Sequence, residues 1–260
     1  MTPRAKGLTG LTLLLLLLAL SFLPRWIQAC PFGMDLEFPT KTVCERALGG
    51  LGRSMALAGG VAGLTTALGI LLALAGAQGK GAVDFAITKV SEFFFALPDI
   101  LVLITMAFLL RTARDLGFLD LDPTLAVGAS LSVIGWAVPA LMFRARLKAL
   151  GEAEFVAASR ALGAGEAWIL ARHLLPQMKG FVLAVFLLRV PAVIFMESTI
   201  SFLGFGLPPT TPSLGTYVGS NYRNLILGEW RIVVPVWILL LLISIGFSLV
   251  GKALLAGEDA

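Results

Sequence analysis

Apolar positions along this chain come in long unbroken runs, not in the alternation that gives an element one wet face. Six segments each carry about 20 mostly apolar residues, enough to cross a hydrocarbon layer about 30 Å thick. They are residues 8–27, 54–77, 90–110, 124–143, 181–203 and 232–253. The gaps hold Pro, Gly or clustered charge and are too short for a separate soluble domain. The pattern predicts an all-α integral membrane protein with six transmembrane helices. Residues 1–52 read as an N-terminal anchor helix and a short outer segment. Residues 53–255 read as a five-helix core with a polar loop at 144–179, and 256–260 as a tail. The first run has a second reading. Arg4 and Lys6 precede a nearly pure leucine stretch, as in a signal peptide, and Ile27-Gln28-Ala29-Cys30 is faintly like a lipoprotein cleavage site. Five further spans downstream favour an uncleaved anchor.

Composition agrees with the runs. The chain is 58% hydrophobic and 14% charged, with a mean hydropathy of +0.91. Soluble domains are about 45–50% apolar and about 25% charged. Disorder, a collagen-like fibre and a disulfide scaffold are excluded. Charge then fixes orientation, because Lys and Arg collect in cytoplasmic loops. Arg144, Arg146, Lys148, Arg160, Arg172 and Lys179 all fall in the loop at 144–179, which is therefore expected inside. Six spans then put both termini in the cytoplasm, and Arg111 and Arg114 outside. The net charge of +4 follows from this rule, and no basic-aromatic surface points to nucleic acid. Cys30 and Cys44 share the first outer segment. A disulfide and two free thiols are both open there.

Catalytic chemistry is missing. His173 is the one histidine, and no His/Cys cluster surrounds it, so neither a metal site nor a Cys-His nucleophile is supported. Gly79-Lys80-Gly81 lacks the earlier Gly and the final Ser/Thr of a phosphate-binding loop. The chain is expected to be non-enzymatic, with no metal and no cofactor of its own. Uphill transport would draw on an ion gradient or on a partner.

The loop at 144–179 reads as two short helices, 152–161 and 166–174, separated by Gly163 and Gly165 and closed by Pro176. Glu166 lies in a first turn, where the helix dipole favours an acid. Phe155, Ala158, Ser159 and Leu162 share one stripe. Such a stripe suits docking into a groove; an amphipathic linker on the membrane surface is the alternative.

The run Glu154-Phe155-Val156-Ala157-Ala158-Ser159-Arg160-Ala161-Leu162-Gly163-Ala164, followed by Arg172-His173-Leu174-Leu175-Pro176, resembles the "EAA" loop of ABC importer permeases, E-A-A-x3-G-x9-I-x-L-P. Gly163 and Pro176 keep the required spacing. Ala157, Ser159 and His173 stand where Glu, the second Ala and Ile are usual. The Ala157 and His173 variants are similar to the dipeptide/oligopeptide branch. So is the block from Glu197 through Ser201-Phe202-Leu203-Gly204-Phe205-Gly206 and Pro208-Pro209 to Pro212-Ser213-Leu214-Gly215, with an extra residue before Pro212 and Leu214 in place of Trp. Phe95-Ala96-Leu97-Pro98 is a weaker third match. The branch's outer "G-T-D-x-x-G-R-D" is reduced here to Gly52-Arg53.

The resemblance covers about residues 45–255. It implies a type I ABC importer (MetI-like) permease fold, in a multi-pass protein of the bacterial cytoplasmic (inner) membrane. The implied partners are a second homologous permease subunit, two ABC ATPase subunits that use ATP and Mg, an extracytoplasmic solute-binding protein, and lipid. It implies an ATPase-coupling role for Phe155, Ala157, Ala158, Ser159, Arg160, Leu162, Gly163 and Pro176. The implied cargo is a di- or oligopeptide or a related small solute; the branch also serves nickel and glutathione. Two other readings are carried beside it, an ion-coupled secondary transporter or channel without an ATPase, and a non-transporting scaffold.

Charges inside spans are functional candidates by default. Pro98, Asp99, Arg189 and Glu197 are candidates for the translocation path. Each also has a structural reading. Asp99 could satisfy backbone freed by Pro98, Arg189 could pair with Asp99, and Glu197 could anchor the outer loop. Gly59-x-x-x-Gly63 offers a small-residue face for close helix crossing or simply a flexible glycine-rich span.

Overall fold

A computed structural model describes residues 3–22, 40–79, 81–118 and 120–258. All regular elements among them are helical. Helix α1 (Pro3–Phe22) precedes α2 (Thr40–Gln78), which is apolar from Gly49 onward. Helices α3 (Ala82–Ala96) and α4 (Asp99–Asp115) follow, then α5 (Pro123–Gly135) and α6 (Ala137–Gly151), which run on through Trp136 as one span. The polar loop contains α7 (Glu154–Ala161) and α8 (Glu166–Ile169), a π-helical turn at Leu170–Leu174 and the single turn α9 (Leu175–Gln177). Helices α10 (Lys179–Phe202), α11 (Leu214–Ile226) and α12 (Trp230–Glu258) complete the chain.

Four helices are long and apolar enough to cross a membrane: Gly49–Gln78, Pro123–Gly151, Lys179–Phe202 and Ile232–Ala256. The expected span at 90–110 is not straight. It is the pair α3 and α4, bent by 91°. The cause is Leu97-Pro98. Proline lacks an amide hydrogen and pushes the residue before it out of helical space, and Leu97 is extended at φ −73°, ψ 140°. If that pair is one broken span, the count is five. Of the first run, Gly7–Leu16 is an apolar helix shorter than a span, and the run continues past Phe22 into residues outside those described, as does Cys30.

Helix α10 is the centre of the bundle. It packs against α2 on one side and α12 on the other, while α2 also crosses α6 and α1 lies on α12. Two buried clusters follow. The larger joins α2, α5, α10, α11 and α12 around Val61, Ile134, Ile194, Leu214 and Ile243. The smaller gathers Phe143, Val156, Ile169, Leu170, Met178 and Val185, and it ties the polar loop to the ends of α6 and α10. Large side chains elsewhere stay uncovered, including Phe93, Phe95, Leu101 and Phe108 on α3 and α4. Such a surface suits lipid or a partner subunit.

Close crossing does not use the Gly59/Gly63 face within this chain. A Cβ at Gly59 would meet nothing within 4 Å, and one at Gly63 would reach only Phe186 at 3.9 Å. The tight approach lies further along α2, where a Cβ at Gly69 would sit 2.6 Å from Pro139 Cβ and 2.9 Å from the Ala140 amide nitrogen. Gly69→Val should therefore separate α2 from α6 and cost about 1–3 kcal/mol, whereas Gly59→Ala should be neutral or slightly stabilising. Thermal unfolding of the two variants in detergent checks this; equal midpoints would contradict it.

Candidate functional site

The polar loop is built to be rigid. Helix α7 buries Val156 completely, and Ile169, Leu170 and Leu174 bury beside it. Gly163 ends α7 at φ +84°, a conformation that costs other residues about 1–2 kcal/mol. Arg160 then clamps α7 to α8. Its Nε donates to Glu166 Oε1 at 2.6 Å, its Nη2 donates to Oε2 at 3.1 Å, and its Nη1 donates to the Gly151 carbonyl at 3.3 Å. The His173 ring lies 4.9 Å from Trp168 and 6.1 Å from Phe155, centroid to centroid. What remains outside is an uncovered face of Phe155, Ala158 and Leu162, with Leu162 89% exposed.

The second expected helix, 166–174, is shorter than anticipated. After Ile169 the chain widens into the π turn, and Pro176 does not close it. Pro176 sits in the first turn of α9, where its missing amide hydrogen is harmless, and the chain continues almost directly into α10. On the same side, Arg144 of α6 grips Asp84 in the first turn of α3 in a two-pronged pair, Nε to Oδ1 at 2.6 Å.

At the other end of α10, Glu197 is 1% exposed. Ser201 and Ser213 each donate a hydroxyl to its Oε1 at 2.8 Å, and Ser54 donates to Oε2 at 3.3 Å. Each serine passes the network on. The Leu207 amide donates to Ser201 Oγ and the Leu214 amide to Ser54 Oγ, both at 3.1 Å. Ser213 and Thr216 form a reciprocal capping box that starts α11. Glycines let the parts close up. A Cβ at Gly215 would lie 2.5 Å from Ser198 Cα, and one at Gly206 would lie 2.6 Å from Ser201 Cα. The block 197–215 is thus a polar knot joining α2, α10 and α11.

The mid-span candidates are arranged differently. Pro98 and Asp99 lie exposed at the bend between α3 and α4. Asp99 makes no hydrogen bond among the described residues. Arg189 lies half-buried near the middle of α10, over Gly135 of α5, where a Cβ would come 2.8 Å from its Nη2. Its Nε has no hydrogen-bond partner, and it feels the Asp99 charge without forming an ion pair. Glu197 hydrogen-bonds to three serines and to neither Arg189 nor Asp99. Sequence reading passed over Ser54, Val156, Ile169 and helix α11. For α11 the signal was present in Ser213-x-x-Thr216, a capping box of slightly unusual type.

Residues 65–256 match the sequence profile of the binding-protein-dependent transport system inner membrane component. The chain belongs to that family. A Brucella suis biovar 1 protein that carries a peptide-permease name is 31% identical over 244 residues, covering 87% of this chain and 78% of that one. The oligopeptide transport system permease protein OppC of Bacillus subtilis is 27% identical over 174 residues, covering 67% of this chain and 53% of that one. Among solved structures, one chain of the inward-facing MetNI methionine ABC transporter superposes with a TM-score of 0.63 over 86% of this chain and 99% of its own, at 17% identity. The fold is therefore that of a MetI-like permease, and the family member described here is a multi-pass membrane permease subunit of an ABC importer.

Two outcomes follow from the geometry. Glu197→Ala strands the hydroxyls of Ser54, Ser201 and Ser213, at about 1–3 kcal/mol for each buried group left unpaired, while Glu197→Gln keeps an acceptor and should recover most of that. Thermal midpoints in detergent separate the two, and identical midpoints would contradict the assignment. In the loop, Arg160 holds the Glu166 carboxyl below its ordinary value through a hydrogen bond and its charge. The clamp is therefore fully present above about pH 4.3 and is lost as pH falls through the lowered value. Hydrogen exchange at α7 and α8 should quicken with acid in the wild type and be pH-independent, beyond the intrinsic rate, in Glu166→Gln.

Proposed function

We propose that this chain is a permease subunit of an ATP-driven importer for di- or oligopeptides or a related small solute, in the bacterial inner membrane. The chain itself hydrolyses nothing. Two ATPase subunits supply ATP and Mg chemistry, a second permease completes the path, and an extracytoplasmic solute-binding protein delivers cargo. The polar loop at 144–179 and both termini face the cytoplasm, with six spans in all: the anchor within residues 1–52 and five in the core at 53–255.

The observation that carries the reading is the uncovered Phe155, Ala158 and Leu162 face on a helix anchored by Val156 and clamped by Arg160. A docking helix has to be rigid to transmit a push and apolar enough outside to be held. Ala157, Ser159 and Gly163 keep the backbone of that segment close to its partner, and Pro176 starts the turn that leads into α10. The relatives named for peptide and oligopeptide transport support the cargo class. For the path, Pro98, Asp99 and Arg189 are the candidates, at a bend and mid-span respectively, and Glu197 serves as the anchor of the outer block.

Ala158→Arg places a charge in the docking face without touching Val156 or Arg160. The ATPase subunits encoded with the chain should co-purify with the wild type and be lost at least tenfold with Ala158→Arg, while insertion and thermal midpoint stay unchanged. Retention of the ATPase by the variant would refute the docking role.

A further inference from the structure

Beyond the coupling loop and the mid-span charges, one cavity is left without a role. It has a volume of ≈ 450 Å³ and lies beside the Glu197 knot, between the C-terminal end of α4, the N-terminal end of α5, the turn after α10 and the first half of α11. Its size falls within the roughly 300–1,000 Å³ of small-molecule sites. Its walls have three kinds of surface. Ala107, Leu110, Val127 and Phe205 are apolar, Ser220 brings a hydroxyl that is not engaged in the Glu197 knot, and Arg111 and Arg114 bring two guanidinium groups.

The arginines decide its chemistry. Three residues apart on α4, they share one face. Arg111 forms no hydrogen bond or ion pair among the described residues. Arg114 has a single long contact, Nη2 to Asp115 Oδ1 at 3.4 Å, and both partners are over a third exposed. Two of the acids on the adjoining elements are engaged elsewhere: Asp122 caps α5 by accepting from the Thr124 amide at 2.8 Å, and Glu197 is enclosed by its serines. Among the described residues, the one carboxylate contact of these two guanidinium groups is therefore the long, exposed Arg114–Asp115 pair. A guanidinium presents its donors as a planar fork that fits a carboxylate with two parallel hydrogen bonds.

We infer that this cavity is an entry-side site for a small solute bearing a free carboxylate beside an apolar group, the two ends of a short peptide's C-terminal residue, with Arg111 and Arg114 reading the carboxylate. The inference rests on the outward orientation and the peptide-class cargo proposed above. Ser220 and the turn at Gly204–Gly206 then line the solute, and the apolar residues take its side chain.

The test uses the full chain in nanodiscs of zwitterionic lipid, with the dipeptide Ala-Phe and its C-terminal amide as probes in an equilibrium binding assay. Wild type should bind the acid at least tenfold more tightly than the amide. Arg111→Gln with Arg114→Gln should lose that preference, and Arg111→Lys with Arg114→Lys should recover part of it. Equal binding of acid and amide, no binding of the acid at millimolar concentration, or an unchanged preference in the glutamine pair would each overturn the site. Loss of acid binding on changing to phosphatidylglycerol nanodiscs, together with no acid preference in zwitterionic ones, would assign the arginines to lipid phosphate and equally overturn it. Co-purification of ATPase subunits, measured on the same variants, reports separately on the permease reading.

Discussion

A carboxyl group buried among apolar helices is tolerated only where hydrogen bonds replace the water it has lost. Glu197 meets that condition with three serine hydroxyls drawn from α2, from α10 itself and from the start of α11. Those serines in turn accept the amides of Leu207 and Leu214, which a broken helix end would otherwise leave unpaired. One side chain therefore fixes where α10 stops, how the Gly-rich turn folds back and where α11 begins. The glycines at 206 and 215 are explained by the same knot, since a side chain at either would collide with the α10 backbone. What reads in sequence as a signature string is in space a single polar joint.

That joint makes α10 a rod held at both ends. One end is tied to α2 and α11, and the other meets the polar loop through Met178 and Val185 in the smaller core cluster. The loop is itself stiffened by a fully buried Val156 and by the Arg160–Glu166 pair. A displacement applied at the uncovered Phe155 and Leu162 face thus has a continuous packed route into the rod, which carries Arg189 midway. The α3–α4 pair is the opposite kind of element. Bent at Leu97-Pro98 and tied at its first turn by Arg144 and Asp84, it has a break where α10 has none.

Much of this was legible in the residues. Apolar run length set the helices, Lys/Arg placement marked the polar loop, and Gly163 marked the left-handed turn where α7 ends. Other features were hidden for identifiable reasons. Pro98 was visible, but the size of a bend depends on what the next helix packs against, and run length ignores that. The π turn at Leu170–Leu174 has no counterpart in the sequence pattern, since two leucines four apart would share one face of an ordinary α-helix equally well. Gly59 and Gly63 fit a familiar spacing, yet the tight crossing uses Gly69, because Pro139 and the Ala140 backbone arrive there and not earlier. Glu197 stood out as an intramembrane charge. Its shell could not be read, since Ser54 lies far away in the chain, and ordinary serines carry no signal of their own.

In the proposed function, force enters this chain from an ATPase through the polar loop. Uptake of a short peptide by proteoliposomes containing the complete transporter tests it most directly. Uptake should require ATP on the side that the polar loop faces and persist when ion gradients are collapsed. Uptake driven by an ion gradient with ATP absent would contradict it.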